Sequence, residues 1–227
     1  MMKRAQAAVL DEAIASEDVA IHDKPISRVS AAPEKRQDRG QRAETRRRRI
    51  FRALHDCIIE KGYSNTTLAH IAVKAGMSPS HLLYYFQGKE SILEEYFADV
   101  AEWFLKRVTE IAEQSPQRQV VLLAKLWFGE GKDAYADIGF MLECFGAAVH
   151  DGEMRQTKSS FDRTCKQYLE AMFRDSGQED PEQSKASAEI SYALLIGLRN
   201  SVYFDQSMQA GDAARHFVAA VEHLRKN

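Results

Sequence analysis

The chain has 227 residues, of which 44% are hydrophobic and 28% are charged, a composition typical of a globular protein with one or two domains. No apolar run reaches the ~18–20 residues that a membrane-spanning helix needs, and the N-terminal 20 residues lack the apolar core of a secretory signal. The three cysteines, Cys57, Cys144 and Cys165, have neither metal-ligand spacing nor the spacing of a disulfide framework. We therefore expect a cytoplasmic protein with no membrane segment, no bound metal and no cofactor.

The charge is distributed unevenly along the chain. The net charge is −2, yet residues 35–52 contain nine basic and two acidic side chains, a local charge of +7. A basic segment on an acidic protein favours a polyanionic partner for that segment alone. The alternative interpretation is a solvated basic tail that binds nothing, and the charge pattern alone does not separate the two.

The N-terminal third is predicted to contain a leader and a first helix. Residues 1–40 are expected to be a flexible leader with a basic end, because prolines and a glycine interrupt every helical pattern there. A helix is predicted from about Glu44 to Lys61, and Gly62 is suited to the left-handed backbone that ends a helix. The arginines at 46–49 lie at the start of this helix, where cations oppose the helix dipole. Their position therefore favours a binding role over a structural one.

Two short helices are predicted on either side of Gly76, which permits a sharp turn between them. The first has Thr66 or Thr67 as its N-cap, with Leu68, Ile71, Ala72 and Ala75 on one face. The second has Ser78 as its N-cap and Pro79 in its first position. Leu82 and Phe86 are expected to face inward with Met77. This leaves Ser80, His81 and Tyr84 facing outward and Tyr85 sideways.

The rest of the chain is predicted to be helical, so the fold class is all-α. Strict alternation of apolar and polar residues, the mark of a strand, is rare. Helical patterns are interrupted mainly by Pro116, by the segment 129–133 and by the segment 175–185. A long helix over about Glu90–Glu113 is the first of the helices that follow the two short ones.

A helix, a glycine turn and a short helix with a polar and aromatic outer face form the helix-turn-helix pattern that places a helix in the DNA major groove. The segment TTLAHIAVKAGMSPSHLLYYFQGKESIL, residues 66–93, resembles the DNA-binding segment of the tetracycline-repressor (TetR) family of bacterial regulators. The resemblance covers roughly residues 44–95. It implies a homodimer with a three-helix DNA-binding head over residues 41–88. It also implies a larger helical domain over residues 89–227 for ligand binding and dimerisation.

The resemblance also implies which residues contact DNA. It places phosphate contacts at Thr66, Thr67 and Lys89. It places the recognition helix contacts at the following residues: Ser78, Pro79, Ser80, His81, Tyr84 and Tyr85. By analogy with family members that use a basic arm, Arg46 and Arg47, with Arg39 and Arg42, are expected to follow phosphates or a narrow minor groove. The chain departs from the family pattern at Leu83, where tyrosine is common, and at Pro79, which replaces a base-reading side chain.

The predicted C-terminal domain contains two further candidate surfaces. A pocket for a small apolar or aromatic effector is expected among Trp103, Phe104, Trp127, Phe128, Met141 and Phe145, with a polar contact from Glu143 or Arg155. A four-helix dimer interface is expected from Leu194, Leu198, Val202, Phe217, Val221 and Leu224. For each residue of both sets the alternative is an ordinary place in the core of the chain.

The expected function is a homodimeric repressor that leaves a near-palindromic double-stranded DNA operator when a small effector binds. The alternative is a TetR-like architectural or protein-interacting DNA-binding factor without an effector. A third interpretation is an enzyme that uses Cys144 or His150. We do not expect an enzyme, because nothing in the sequence supplies an oxyanion hole or an orienting acid.

Overall fold

The computed structural model describes residues 39–129, 133–205 and 207–226, and their side chains except those of residues 39–42, 133 and 134. The predicted leader lies outside the described residues apart from its last two positions. Within the described part of the chain all regular secondary structure is helical, which confirms the predicted all-α class. The helices are α1 (Arg39–Lys61), α2 (Leu68–Lys74), α3 (Pro79–Leu83), α4 (Lys89–Ala112), α5 (Pro116–Phe128), α6 (Asp133–Ala148), α7 (Gly152–Asp175), α8 (Pro181–Phe204) and α9 (Ala210–Leu224).

The chain forms two compact units. The first, which we call the head unit, comprises the described residues up to 103 together with 139–159. The second, the body unit, comprises residues 104–138 and 160–226 within the described ranges. The division falls inside α4, α6 and α7, so each of these three helices contributes residues to both units. The sequence pattern predicts a single boundary between the head and the larger domain, between residues 88 and 89.

The core of the head unit is built from one side of α1 and from the short helices packed against it. Ile50 and Leu54 of α1 are fully buried, as are Ile71 of α2 and Leu82 of α3. Each such side chain stabilises the fold by about 1.5–3 kcal/mol through burial. The predicted inward positions of Leu82 and Phe86 are thus confirmed, since both are buried.

Residues far along the chain complete this core. Phe140 of α6 lies against His55 and Tyr96, with ring centroids 4.8 Å and 5.0 Å away. Cys144, Ala148 and Met154 belong to the same cluster of buried side chains. Phe140 and Cys144 are separated by four residues, so they lie on one side of α6. This side of α6 therefore functions as a structural part of the head unit.

The body unit is centred on α9, which packs against α5 and α8. Phe217 and Val221 of α9 are completely buried, and Phe217 lies 6.4 Å from Phe128 between ring centroids. A buried amide, Gln119, closes the end of α4. Its nitrogen donates to the carbonyls of Ala112 and Gln114, at 3.1 Å and 2.7 Å, so this buried polar group is satisfied.

None of the helices in the described ranges is both long enough and apolar enough to cross a membrane.

Candidate nucleic-acid interface

Helix α2 is set in place by its two ends. Thr67 is its N-cap, with its hydroxyl accepting the His70 N–H and the His70 ring nitrogen accepting the Thr67 N–H, both at 3.3 Å. At the other end Gly76 takes a φ of +66°, which glycine adopts without the strain of a Cβ. Met77 then donates its N–H back to the carbonyl of Ala72 at 3.0 Å, which closes the turn toward α3.

Helix α3 begins as the sequence predicts. The Ser78 hydroxyl accepts the His81 N–H at 3.2 Å, and Pro79 occupies the first helical position. The helix ends at Leu83, before the predicted inward residue Phe86, with Tyr84 as its C-cap. Because Leu82 is completely buried, the opposite side of this short helix faces outward.

The outward side of α3 carries the predicted base-reading residues. Ser80 and His81 are exposed, and Tyr84 retains 81% of its accessible surface. A hydroxyl, an imidazole and a phenol can each donate or accept a hydrogen bond at a base edge or a phosphate. Leu83 is also half-exposed at 50% and offers an apolar surface of the kind that contacts thymine methyls. This face therefore suits the major groove.

Tyr85 has a different environment from its neighbour. It is half-buried and packs beside the head core. Its hydroxyl accepts a hydrogen bond from the guanidinium of Arg46 at 2.9 Å. The two residues are 39 positions apart, so no local sequence signal could have predicted this bond. It fixes a predicted phosphate-binding arginine of α1 next to α3.

Three predicted phosphate contacts are engaged inside the head unit. Thr66 is buried and its hydroxyl donates to the carbonyl of Gly62 at 2.8 Å. The Lys89 ammonium donates to the carbonyls of Tyr63 and Thr66 at 3.1 Å and 3.0 Å. Arg47 forms an ion pair with Glu95 at 2.7 Å. These contacts give Thr66 and Lys89 a structural role in the head unit, and their phosphate contacts stay predictions; Arg47 remains 39% exposed.

The remaining basic residues of the first helix are only partly described. Arg49 and Arg52 are exposed, and Arg48 pairs with Glu44 at 2.8 Å on the same helix. The side chains of Arg39 and Arg42 lie outside the described part of the chain. The predicted arm thus remains a prediction.

The predicted pocket residues are divided between the two units. Trp103, Met141 and Phe145 lie in the head unit, and Phe104, Trp127 and Phe128 lie in the body unit. In the body unit Phe104 meets Trp127 edge-on, with ring centroids 4.4 Å apart. Phe161 and Tyr192, which are outside the predicted pocket set, have ring centroids 6.1 Å and 6.0 Å from that of Trp127. We call Phe104, Trp127, Phe161 and Tyr192 the aromatic cluster.

The suggested polar contacts of that pocket serve other purposes. Glu143 accepts the N–H of Tyr63 at 3.1 Å, and Arg155 donates to the carbonyls of Ala148 and Val149. Separately, a groove of about 170 Å³ opens in the body unit between α4 and α5. It is lined by Arg107, Glu110, Ile111, Gln114, Arg118, Leu122 and Leu126, none of them a predicted pocket residue.

The predicted dimer residues divide into two classes. Phe217 and Val221 are completely buried within the chain, which corrects their prediction as interface residues, since a side chain inside its own core cannot reach a partner. Leu198 and Val202 are each 9% exposed. Leu194 and Leu224 are half-buried and reach the surface. Phe217 and Val221 are buried because α9 packs at the centre of the body unit.

The cysteine considered as a nucleophile has the wrong environment for one. Cys144 is completely buried, and this burial raises the pKa of its thiol well above the ordinary value. Nucleophilic cysteines need a lowered pKa and access to substrate.

Comparisons with known proteins find similar DNA-binding regulators. Residues 50–96, which include α2 and α3, match the family model described as "Bacterial regulatory proteins, tetR family". The HTH-type transcriptional regulator BetI of Escherichia coli O127:H6 is 26% identical over 155 residues, which is 66% of this chain and 78% of that protein.

Two solved structures share the fold. A TetR transcription regulator from Haloarcula marismortui aligns with a TM-score of 0.69 at 17% identity, covering 79% of this chain and 97% of that one. A regulator from Saccharomonospora viridis in complex with choline aligns with a TM-score of 0.69 at 21% identity, covering 78% of this chain and 95% of that one. By its helix-turn-helix geometry and its match to the family model, the segment 50–96 is a TetR-family DNA-binding segment, and the chain as a whole is similar to DNA-binding transcriptional regulators of that family.

Proposed function

We propose that this regulator is a homodimeric repressor that binds a near-palindromic operator and leaves it when a small effector binds. The observation that carries the DNA-binding part is the outward face of α3, where Ser80, His81 and Tyr84 are exposed beside Arg46. A single copy of this face reads only a few base pairs. Two copies about one helical turn apart, roughly 34–36 Å, would read a symmetric site.

The support for a dimer is an apolar stripe on α8, which we call the α8 stripe. It comprises Ile190, Ala193, Leu194, Gly197 and Phe204. The spacing of three, four or seven residues places these side chains on one face of the helix. Ile190 is 54% exposed and Phe204 is 73% exposed, and Gly197 allows a second helix to approach closely. Apolar area of this kind on a helix face favours a symmetric helix-to-helix contact.

The support for an effector is the aromatic cluster of the body unit. Trp127 is 3% exposed, and its indole N–H has no hydrogen-bond partner among the described residues. The Tyr192 hydroxyl is bonded to the Asp162 carboxylate, so a negative charge lies at the edge of the cluster. Aromatic faces beside a carboxylate favour organic cations. Choline, which is bound by the Saccharomonospora viridis protein, is a suitable first probe.

Helix α4 begins in the head unit and ends in the body unit. One continuous helix thus connects the unit with the proposed effector site to the unit with the DNA-binding face. An effector that favours one arrangement of the dimer would change the population that fits the operator.

The test starts with selection of bound sites from random DNA by the purified full-length chain. We expect an enriched near-palindrome and a complex with two chains per site. Choline should then lower the affinity for that site, whereas its uncharged isostere 3,3-dimethylbutanol should not. An enriched site without symmetry would contradict the dimeric mode, and an unchanged affinity at saturating choline would exclude choline as the effector.

A further inference from the structure

The turn between α1 and α2 is held by charged groups on both sides. The Glu143 carboxylate accepts the N–H of Tyr63 at 3.1 Å. The Lys89 ammonium donates to the carbonyl of the same Tyr63 at 3.1 Å and lies 4.4 Å from the centroid of its ring. Both backbone groups of one residue thus take part in charge-assisted hydrogen bonds, which are stronger than neutral ones.

Glu143 fits closely against this turn. Gly62, the residue before Tyr63, has a φ of +77°, and its N–H donates to the Ile58 carbonyl at 2.8 Å. A Cβ added to Gly62 would lie 3.3 Å from the Oε1 atom of Glu143. The carboxylate therefore occupies the space beside the glycine while it bonds the next residue.

The helix that carries Glu143 is anchored in the head core on its neighbouring face. Phe140 is 2% exposed between His55 and Tyr96, and Cys144 is completely buried. Glu143 thus stands on a fixed support. This support lies outside residues 50–96, the segment that the family model matches.

The turn determines where α2 begins. Thr67, the N-cap of α2, is four residues after Tyr63, and the intervening Thr66 is tied to Gly62 through its hydroxyl. A change in the conformation at Tyr63 would shift the start of α2 and, through the turn at Gly76, the outward face of α3. Sequence-specific binding requires that face to present its side chains to base edges in hydrogen-bonding geometry, whereas non-specific binding depends mainly on charge at the phosphates.

We propose that Glu143 is a positioning residue for operator binding, which makes residues 139–148 a working part of the DNA-binding head. The inference rests on the proposed function, in which the outward face of α3 reads the operator. Glu143 itself does not touch DNA in this role. It acts through Tyr63 and the start of α2.

The experiment compares E143A and E143Q with V149A, a control at an exposed residue just beyond the same helix. The probe DNAs are the site selected from random DNA and a shuffled site of equal length. We expect E143A to weaken operator binding about five- to tenfold, the usual effect of losing one hydrogen bond when the acceptor, like Glu143, is exposed to water. E143Q should lose less, because its amide oxygen still accepts the Tyr63 N–H. Binding to the shuffled site should not change.

Hydrogen exchange at the Tyr63 amide distinguishes the loss of this one hydrogen bond from a general destabilisation of the fold. In E143A this amide should exchange faster at a fixed temperature well below melting, whereas amides in the middle of α5 should not. Operator affinity equal to that of the wild type in E143A would overturn the proposal, and so would equal losses on the two DNAs.

A second variant keeps the test decisive if E143A folds poorly. G62A should weaken operator binding because it combines a positive φ with a contact to Glu143. In G62A/E143A that contact is gone, so the combined loss should be smaller than the sum of the single losses. Additive losses would overturn the proposal. If the wild-type chain selects no site at all, the proposed operator binding fails, but exchange at Tyr63 still tests the bond.

Discussion

Tyr84 and Tyr85 are adjacent in the sequence, yet the head unit uses them differently. Tyr84 follows the last residue of α3 and retains 81% of its accessible surface. Tyr85 packs beside the core and accepts a hydrogen bond from Arg46. The two rings meet edge-on with centroids 5.3 Å apart. The inner tyrosine therefore supports the outer one and leaves its phenol free to approach DNA.

Replacing Tyr84 tests this division between the two tyrosines. We expect Y84A to weaken operator binding about tenfold, since one lost base or backbone contact is worth roughly 1–3 kcal/mol. The free energy of unfolding should change by less than about 0.5 kcal/mol, because the side chain is exposed. Fluorescence anisotropy and urea unfolding measure the two quantities. Y84F distinguishes the ring from the hydroxyl, and an unchanged affinity in Y84A would remove Tyr84 from the interface.

A pair of carboxyl groups in the head unit predicts a pH dependence of stability. Burial raises the pKa of Glu94, and its hydrogen bond with Asp151 and the nearby Glu153 and Glu90 raise it further. The folded state thus holds a proton on Glu94 more tightly than the unfolded state does. Its contribution to stability is present at low pH and is lost as the pH rises from about 4.5 through the folded pKa.

E94Q tests this pH dependence by removing the titrating group while keeping a donor for Asp151. We expect the melting temperature of E94Q to exceed that of the wild type at pH 7.5 and the difference to shrink as the pH falls toward 4.5. E113Q, at an exposed position just beyond the same helix, is the control and should show no such trend. A constant difference at all pH values would contradict the raised pKa.

The helices themselves were largely predictable from the sequence, because caps and breakers are local signals. Ser78 and Pro79 start α3 as predicted, and Thr67 caps α2. The end of α3 was not predictable. Leu82 and Phe86 are four residues apart, a spacing typical of two buried residues on one helix, and both are buried. The helix nevertheless ends at Leu83, before Phe86.

Two glycines with open surroundings test whether a positive φ alone makes alanine unfavourable. Gly76 has a positive φ in the turn before α3, and Gly146 lies within α6; a Cβ on either would meet no atom within 4 Å. We expect G76A to lower the free energy of unfolding by about 1–2 kcal/mol, the cost of a left-handed backbone. G146A should raise it by about 0.5–1 kcal/mol, because alanine favours helix. Urea unfolding midpoints measure both, and equal effects would contradict the argument.

At the scale of the whole molecule, the sequence could not predict long-range contacts. Phe140 and Glu143 of α6 contact His55 and Tyr63 of the head unit, which lie more than 70 positions earlier in the chain. The buried members of the candidate dimer set could not be separated from the surface members for the same reason. Phe217 and Leu194 have similar apolar patterns, and only the packing shows that the first is inside the chain while the second reaches the surface.

The α8 stripe carries the prediction that decides whether this regulator is a dimer. A carboxylate in the centre of an apolar helix-to-helix contact would be desolvated without a partner, which costs several kcal/mol. We therefore expect L194E to sediment as a monomer where the wild type sediments as a dimer, and K185E, at an exposed position of the same helix, to remain dimeric. Because a monomer loses the linkage between two half-sites, operator affinity should fall at least about a hundredfold. A dimeric L194E with unchanged melting temperature would place the interface elsewhere on the molecule.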